Sequence, residues 1–253
     1  MNPILRLFKS LFKKINYDLR KVEEYNLKNE FPEVTDFEKN LFEISSNYTM
    51  TSNERIFSLM KSIDFIRHNN VQGDFVECGV WQGGNILLYN LLNKHYNLKK
   101  QIFAYDTFDG MSPPQKNDIT HYGTSAQKLM NKSEKKDGKN DIHCIASLNL
   151  VKKNILKYSN LNNIKFIEGE VEKTLLYEEN LPKKISILRL DTDFYSSTKK
   201  ELEILYPRLV SGGVCIIDDY GYWKGARQAV DEYFGDQKWL HVVDQTCRYL
   251  IKN

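Results

Sequence analysis

The stretch that decides the fold is DFVECGVWQGG, residues 74–84. Its first half is a short, mostly apolar run that ends at a glycine, which is typical of a buried strand. Residues 84–95 then follow a helical pattern. Three glycines lie in the turn between the two, where the absence of a side chain lets a ligand approach the backbone closely. The stretch therefore predicts a strand, a binding turn and a helix.

Strands and helices alternate along the rest of the chain. We predict strands at 101–106, 164–168, 185–191 and 213–219, helices at 51–69, 145–159, 197–209 and 226–234, and two short closing strands at 240–243 and 248–251. This alternation predicts an α/β fold with a doubly wound, mostly parallel sheet. The two neighbouring strands at the end of the chain predict an antiparallel C-terminal edge.

The domain organisation follows from the segments outside this alternation. We predict an N-terminal helical extension at residues 1–70 and a main domain at 71–253, with a polar insertion at about 109–143. An insertion of this length after a strand end is usually functional, so we expect a lid, with His121 and Tyr122 as candidate acceptor contacts. Residues 3–21 have the pattern of a basic amphipathic helix. Such a helix packs on its own domain or on a partner subunit, or it lies weakly on an anionic membrane surface through residues 1–20.

The composition excludes several classes of protein. A chain of 253 residues, 41% of them hydrophobic, can bury a substantial core. The net charge of +3 is too small to indicate a nucleic-acid partner. The four cysteines form no CxxC pair and are expected to be buried thiols in a reducing compartment. Because no apolar run approaches the roughly 20 residues that span a bilayer and no signal-peptide pattern is present, we expect a cytoplasmic protein.

Every strand of the predicted parallel set ends at a carboxylate. Open parallel sheets bind their ligands at the carboxyl ends of the strands, so these side chains are expected at one site. The residues are Glu77, Asp106, Glu168 with Glu170, Asp191 with Asp193, and Asp218 with Asp219.

Asp106 ends the second strand, where a carboxylate is placed to accept hydrogen bonds from both hydroxyls of a ribose. Its negative charge disfavours a 2′-phosphate on that ribose. The turn after the first strand lacks the GxGxxG fingerprint, which disfavours a dehydrogenase. The pocket therefore suits an adenosine such as that of S-adenosylmethionine or NAD.

Asp191, Asp218 and Asp219 are expected to converge without a lysine or arginine partner nearby. Like charges repel one another, and a hard cation such as Mg²⁺, Mn²⁺ or Ca²⁺ would remove that cost. The alternative is that one or two of these residues cap helices and no metal binds.

Two other functions are compatible with parts of the pattern. Asp191-Thr192-Asp193 is a DxD motif, as in glycosyltransferases that hold a metal and a nucleotide-sugar diphosphate, but that function does not account for Glu77 and Asp106. A non-enzymatic peripheral membrane module carried by the N-terminal helix leaves the whole carboxylate set unexplained.

Six blocks of the sequence resemble the macrocin O-methyltransferase family. They are residues 48–55, 73–81, 105–111, 188–198, 212–221 and 225–231, in the order that the family has them. The chain differs from the family at Gln82, where arginine is usual, and at Asn85, where a small residue is usual.

The resemblance implies a class I methyltransferase (Rossmann-like) fold, S-adenosylmethionine as methyl donor, a sugar hydroxyl as acceptor, and a homo-oligomer. It implies that the donor contacts Thr49, Met50, Thr51, Glu77, Gly79, Asp106 and Thr107, and that Asp191, Asp218 and Asp219 bind Mg²⁺ or Mn²⁺. We therefore expect a metal-dependent sugar O-methyltransferase. Asp191 is expected to bind the metal and to accept the hydroxyl proton, with Asp193 as the second candidate base.

Overall fold

The structure, a computed structural model, describes residues 30–133, 141–237 and 239–253. The basic helix predicted for residues 3–21 and most of the lysine-rich part of the insertion lie outside the described residues. The chain divides into two compact units, residues 1–39 and 40–253. The sheet and the cleft described below belong to the second unit.

The described strands and helices alternate as the sequence predicts. The strands are β1 Asp74–Cys78, β2 Ile102–Asp106, β3 Ile164–Glu168, β4 Ile185–Leu190, β5 Leu209–Ile217, β6 His241–Val242 and β7 Arg248–Ile251. The helices are α1 Asp36–Ser46, α2 Asn53–His68, α3 Gly84–His95, α4 Ala126–Lys132, α5 Leu148–Leu156, α6 Val171–Thr174, α7 Tyr195–Ile204 and α8 Lys224–Phe234.

The strands form one sheet in the order β3-β2-β1-β4-β5-β7-β6. The five strands from β3 to β5 are parallel, and β7 and β6 add the antiparallel C-terminal edge. The predicted α/β fold and its antiparallel edge are thereby confirmed. The order reverses between β1 and β4, and ligands of open α/β sheets bind at such a switch point.

Helix and strand boundaries differ from the prediction mainly around β5. The helix predicted for 197–209 is α7, which begins two residues earlier and ends at Ile204. A 3₁₀ turn at Tyr206–Arg208 follows it and leads directly into β5, which therefore begins at Leu209 rather than at residue 213. Proline at 207 removes a backbone donor and prevents the α-helix from continuing.

Helix α2, which the sequence analysis placed in the N-terminal extension, packs on the sheet. It contacts α3, β4 and β5, and its apolar face is fully buried at Ile56, Leu59, Met60, Ile63 and Ile66. Its N-terminus is capped by Ser52, whose side chain accepts from the backbone N–H of Arg55. The opposite face of the sheet is covered by α7 and α8.

The cysteines are free thiols, and Cys78, Cys215 and Cys247 are buried in the protein interior. The prediction of buried thiols is thereby confirmed for these three, whereas Cys144 is half-buried. Within the described residues, no helix combines the length and the apolar character that crossing a bilayer requires.

Candidate functional site: a cleft at the carboxyl ends of the parallel strands

A cleft opens where the parallel strands end. Its empty volume, including the space open to solvent, is about 1080 Å³. The predicted residues that line it are Thr49, Met50, Thr51, Gly79, Asp106, Thr107, Asp191, Asp193, Asp218 and Asp219. Glu77 is 1% exposed and lies beneath the cleft rather than on its surface. The predicted Glu170, which follows β3, lines it as well, so carboxylates that follow or end β2, β3, β4 and β5 gather around one cavity.

Asp106 joins the ends of β1 and β2 on the side of the cleft away from β5. Its Oδ2 accepts from the backbone N–H groups of Val80 and Trp81, at 2.6 and 3.0 Å, and its Oδ1 accepts from that of Phe108 at 2.8 Å. Burial raises the pKa of this carboxyl, and these backbone donors partly offset the rise. A carboxylate has about four lone-pair sites, so Asp106 can hold both turns and still accept from a ligand.

Gly79 allows the β1 turn to pass directly against β4. Its φ is +86°, and a Cβ there would lie 2.0 Å from the carbonyl oxygen of Asp191. Backbone hydrogen bonds from Gly79 to Tyr105 and from Asp191 to Cys78, both 2.9 Å, continue the pairing past the strand ends. A side chain at residue 79 would therefore separate the Asp106 side of the cleft from the acidic side.

A second close approach at Gly84 brings the segment Thr49–Thr51 to the cleft. The N–H of Gly84 donates to the carbonyl of Tyr48 at 2.9 Å, and a Cβ at residue 84 would lie 2.8 Å from the Cβ of Thr49. The hydroxyls of Thr49 and Thr51 are 3.0 Å apart and bonded to each other. The segment that precedes α2 is thus fixed over the start of α3, where it forms one wall of the cleft.

Arg189, on β4, is a buried cation beneath the cleft. Its Nη1 donates to Oε1 of Glu77 at 2.5 Å and to Oδ2 of Asp191 at 2.7 Å, and its Nη2 donates to Oδ1 of Asp218 at 2.5 Å. The expectation that the carboxylates have no cationic partner nearby is wrong. The three carboxylates come from three adjacent strands, so one guanidinium ties β1, β4 and β5 together below the site.

Glu77 supports the cleft from beneath through Arg189 and Asn85. Besides Arg189, its Oε1 accepts from Nδ2 of Asn85 at 3.0 Å, so the residue that departs from the family pattern is a partner of this carboxylate. Oε2 is buried and has no hydrogen-bond partner in the described part of the chain. Burial raises the pKa of Glu77 to about 7, although the charge of Arg189 opposes that rise.

Asp218 is held by a second arginine, Arg55, from the first turn of α2. Nη1 of Arg55 donates to Oδ2 of Asp218, and its Nε donates to Oδ2 of Asp244 at 2.7 Å. Its Nη2 bonds the hydroxyl of Thr246. Arg55 thus connects α2 to the end of β5 and to the loop between β6 and β7. Both oxygens of Asp218 accept from arginines.

Asp191, Asp193 and Asp219 form the acidic cluster of the cleft. One carboxylate oxygen from each lies within 4.8 Å of the others, the spacing of a metal site. Burial raises the pKa of Asp191 well above its usual range, against the charge of Arg189, and it raises the pKa of Asp193 to about 7. Burial and the charge of Asp193 raise the pKa of Asp219 strongly, and its Oδ2 is buried without a described partner. Like charges that repel at this distance suit a hard cation.

The backbone at Asp193 is left-handed, with φ of +68°. This conformation is costly for a non-glycine residue and persists where the surroundings enforce it, often at functional sites. Here Phe194, the N-cap of α7, is buried, and its N–H donates to the carbonyl of Thr192 at 2.7 Å. The strained turn is therefore fixed on both sides of Asp193, which stands with its carboxyl in the acidic cluster.

Sequence reasoning missed the arginines and favoured Asp218 over Asp193. A signal for Arg189 was present, because residues two apart on a strand face the same side and Arg189 precedes Asp191 by two. Nothing local to Arg55 indicates that it reaches β5, since its partners lie 163 and 189 residues further along the chain.

The comparisons with known proteins agree with this geometry. A family model described as macrocin-O-methyltransferase (TylF) matches residues 12–252. Demethyldecarbamoylnovobiocin O-methyltransferase of Streptomyces niveus is 30% identical over 189 residues, which cover 74% of this chain and 67% of that protein. Mycinamicin III 3''-O-methyltransferase of Micromonospora griseorubida is 30% identical over 189 residues, which cover 74% of this chain and 70% of that one.

Solved structures show the same fold. The O-methyltransferase NovP superimposes with a TM-score of 0.68 and 27% identity over 81% of this chain and 82% of that chain. The calicheamicin methyltransferase CalS11 superimposes with a TM-score of 0.58 over 92% of this chain and 99% of that chain. At 17% identity, this similarity shows the fold alone. The chain belongs to the macrocin-O-methyltransferase family, and it is an S-adenosylmethionine-dependent O-methyltransferase.

Proposed function

We propose that the protein methylates a hydroxyl of a sugar, either on a nucleotide or carried by a larger molecule, and that the reaction requires Mg²⁺ or Mn²⁺. The observation that carries the proposal is the acidic cluster of Asp191, Asp193 and Asp219, which faces the same cleft as Asp106. The relatives support the acceptor class, since one is named a mycinamicin III 3''-O-methyltransferase and another acts at the 4' position of a rhamnosyl-tetracenomycin.

The donor side of the cleft fits S-adenosylmethionine. Three backbone N–H groups occupy three of the about four lone-pair sites of Asp106, so one site on Oδ1 is left for a ribose hydroxyl. Gly79 leaves the turn beside it without a side chain. Thr49, Met50, Thr51 and Thr107 line the same side. The donor supplies an electrophilic methyl group on a positively charged sulfur, so the protein has to orient an acceptor hydroxyl and remove its proton.

The acidic side fits a divalent metal. A bound hard cation lowers the pKa of a coordinated hydroxyl. Asp191 and Asp219 are the ligands on which the sequence prediction and the observed cluster agree. Asp218 remains the third predicted ligand, because an oxygen that accepts from an arginine keeps a second lone pair.

We propose that Asp193, rather than Asp191, accepts the proton of the acceptor hydroxyl. Arg189 donates to Oδ2 of Asp191, so that oxygen is already engaged in an ion pair. Asp193 accepts no hydrogen bond from an arginine in the described contacts, and it stands within the same cluster. A carboxylate in hydrogen-bond reach of the reacting hydroxyl is a suitable general base.

The test is a mass-spectrometric screen for the gain of one CH₂ unit. The protein is incubated with S-adenosylmethionine and Mg²⁺ and with nucleoside-diphosphate hexoses and aryl or alkyl glycosides of deoxyhexoses. Methylation of a sugar hydroxyl is the expected result. Methyl transfer to a phenol or carboxylate panel with no transfer to any sugar would overturn the proposed acceptor class.

We also propose that residues 1–20 serve association between chains rather than donor binding. A chain that lacks these residues should bind S-adenosylhomocysteine unchanged and have a smaller mass in light scattering. An unchanged mass together with loss of sedimentation with anionic liposomes would favour the weak membrane association instead.

A further inference from the structure

Asp118 anchors the insertion to the two turns that carry the acidic cluster. This buried carboxylate accepts from the backbone N–H of Tyr195, the first residue of α7, at 2.9 Å, and from that of Gln115 at 2.6 Å. On its other side lies Gly225 in the first turn of α8, where a Cβ would be 2.3 Å from Oδ1 of Asp118. Asp118 therefore fixes the first part of the insertion between the start of α7 and the start of α8.

Beyond Asp118 the chain forms a short hairpin, residues 119–125. Ile119 and Ser125 pair as an antiparallel bridge, and the N–H of Thr120 donates to the carbonyl of Thr124 at 2.9 Å. The hairpin is joined to the loop after β5 by a bridge between Thr120 and Trp223. Two further backbone bonds, from His121 to Tyr222 and from Lys224 to Ile119, both measure 2.8 Å. The position of its tip is thus set by backbone contacts.

The tip and the loop after β5 present three rings, His121, Tyr122 and Tyr222, which we call the aromatic platform. The ring centroid of His121 lies 3.6 Å from that of Tyr122 and 5.6 Å from that of Tyr222. Beneath them the buried Trp223 meets Tyr222 edge-on, with centroids 5.1 Å apart. Tyr122 is 81% exposed, so a large aromatic face points to solvent from a rigid support.

The aromatic platform stands beside the acidic cluster. The N–H of Tyr222 donates to the carbonyl of Asp219 at 3.0 Å. The three rings lie outside the described lining of the cleft, and Tyr222 joins them to the turn that carries Asp219. An acceptor whose hydroxyl meets Asp193 would therefore reach the aromatic platform with a part that extends beyond the cleft.

We propose that the aromatic platform is the acceptor subsite of this enzyme and that Tyr122 stacks on a flat, apolar ring face of the acceptor. The inference rests on the proposed function, because it takes the acidic cluster as the place of the reacting hydroxyl. Two kinds of ring offer this chemistry: the C–H face of a pyranose and an aromatic aglycone. Exposed aromatic rings on a rigid backbone bind such faces at low cost in conformational entropy.

The test compares Tyr122→Ala with Tyr177→Ala, a matched control at another exposed tyrosine, whose backbone bonds go to Thr174 and Asn180 rather than to the insertion or the loop after β5. The probes are 4-nitrophenyl rhamnoside and methyl rhamnoside, which share the sugar and differ in the aglycone. Loss of a stacked aromatic contact is expected to raise the KM of Tyr122→Ala by roughly three- to tenfold, with kcat and the affinity for S-adenosylhomocysteine unchanged. The control should match the wild type.

Comparing the change in KM between the two glycosides identifies which ring of the acceptor stacks on Tyr122. An increase with both glycosides places the sugar on Tyr122, whereas an increase with the nitrophenyl glycoside alone places the aglycone there. Unchanged KM values for both, in an enzyme that methylates them, would overturn the subsite and leave the proposed function standing.

A calorimetric titration with the same glycosides, in the presence of S-adenosylhomocysteine and Mg²⁺, tests the subsite independently of turnover. Weaker binding to Tyr122→Ala than to Tyr177→Ala supports the subsite even if no methyl group is transferred. Equal binding to the two variants, or no binding to the wild type, contradicts it.

Discussion

Nη1 of Arg189 lies 2.7 Å from Oδ2 of Asp191, two residues further along the same strand. The same nitrogen also donates to Glu77, so one buried cation is shared by a carboxylate beneath the cleft and a carboxylate within it. Arg189 is only 2% exposed, and it is surrounded by negative charge. The acidic site is therefore built on a permanent counter-charge, and a bound metal would have to balance only the carboxylates that the arginines leave unpaired.

Replacing Arg189 by methionine should destabilise the protein strongly. The variant leaves Glu77 buried without a cation and leaves Asp218 with Arg55 alone, and breaking a buried pair typically costs about 3–5 kcal/mol. Arg189→Lys keeps the charge but loses the forked guanidinium that reaches three carboxylates. Its free energy of unfolding should therefore lie between those of the wild type and Arg189→Met. Urea unfolding in the wild type and in each variant measures the free energy of unfolding.

A matched control for Arg189 is Arg208→Met, which breaks the partly exposed pair with Glu178. Such exposed ion pairs contribute about 0–1 kcal/mol to the free energy of unfolding. Equal costs at the two arginines would contradict the role given to Arg189.

Methyl transfer should stop in the presence of a chelator and return with Mg²⁺ or Mn²⁺, while binding of S-adenosylhomocysteine persists, because the donor contacts come from other strand ends. Asp219→Asn should raise the metal concentration needed for half-maximal activity, since it replaces a charged oxygen ligand. Asp193→Asn should lower kcat by about 10²–10⁴ at saturating metal, with a smaller change in the metal requirement than Asp219→Asn. Activity titrated with metal separates the two effects.

The opposite pattern for these two variants would exchange their roles. Asp191→Asn distinguishes ligand from base in the same way, because excess metal should restore its turnover if Asp191 is a ligand only. Full activity in the chelator would remove the metal from the mechanism.

Asp106→Ala should weaken donor binding, because a ribose loses its acceptor. Removing one partner of a buried hydrogen bond typically costs about 1–3 kcal/mol, measured here as the affinity for S-adenosylhomocysteine in calorimetry. Thermal unfolding is recorded alongside, because Val80, Trp81 and Phe108 lose their acceptor as well. The control is Asp109→Ala, at an exposed carboxylate three residues further along the chain. If affinity is unchanged and only stability falls, Asp106 serves the turns alone.

Glu201→Gln should stabilise the protein increasingly as the pH rises. Glu201 is fully buried, accepts from the Thr192 hydroxyl at 2.9 Å, and has its pKa raised by burial to about 8. Because the folded-state pKa exceeds the unfolded value of about 4.3, the wild type loses stability between those two pH values. Glutamine does not ionise. The free energy of unfolding of Glu201→Gln should therefore rise relative to that of the wild type by at most about 1.4 kcal/mol per pH unit.

Urea unfolding at several pH values between about 5 and 8, which lie within that titration, measures the difference. The matched control is Glu203→Gln, on the same helix but exposed to solvent. A difference between Glu201→Gln and the wild type that does not change with pH would mean that the carboxyl is ionised in the folded protein.

The alternation of strands and helices was readable from the chain because it depends on local patterns. Apolar runs such as residues 74–80 and 185–190 are buried on both faces, as strands inside a parallel sheet must be. Parallel strands end at the same edge, so placing Asp106, Asp191, Asp218 and Asp219 around one cleft needed only the order of elements. The residue at which β5 begins, in contrast, depends on pairing with β4 and β7. The predicted start was wrong by four residues.

Charge pairing inside the site depends instead on contacts between elements far apart in the chain. Arg55 reaches Asp218 and Asp244 only because α2 packs across β4 and β5, and this decides that Asp218 is bound by arginines while Asp193 stands in the acidic cluster. Asp118 likewise reaches the start of α7 only because Gly225 leaves room for it. Side-chain partners at such distances are selected by packing in three dimensions, for which periodicity and strand-end rules carry no information.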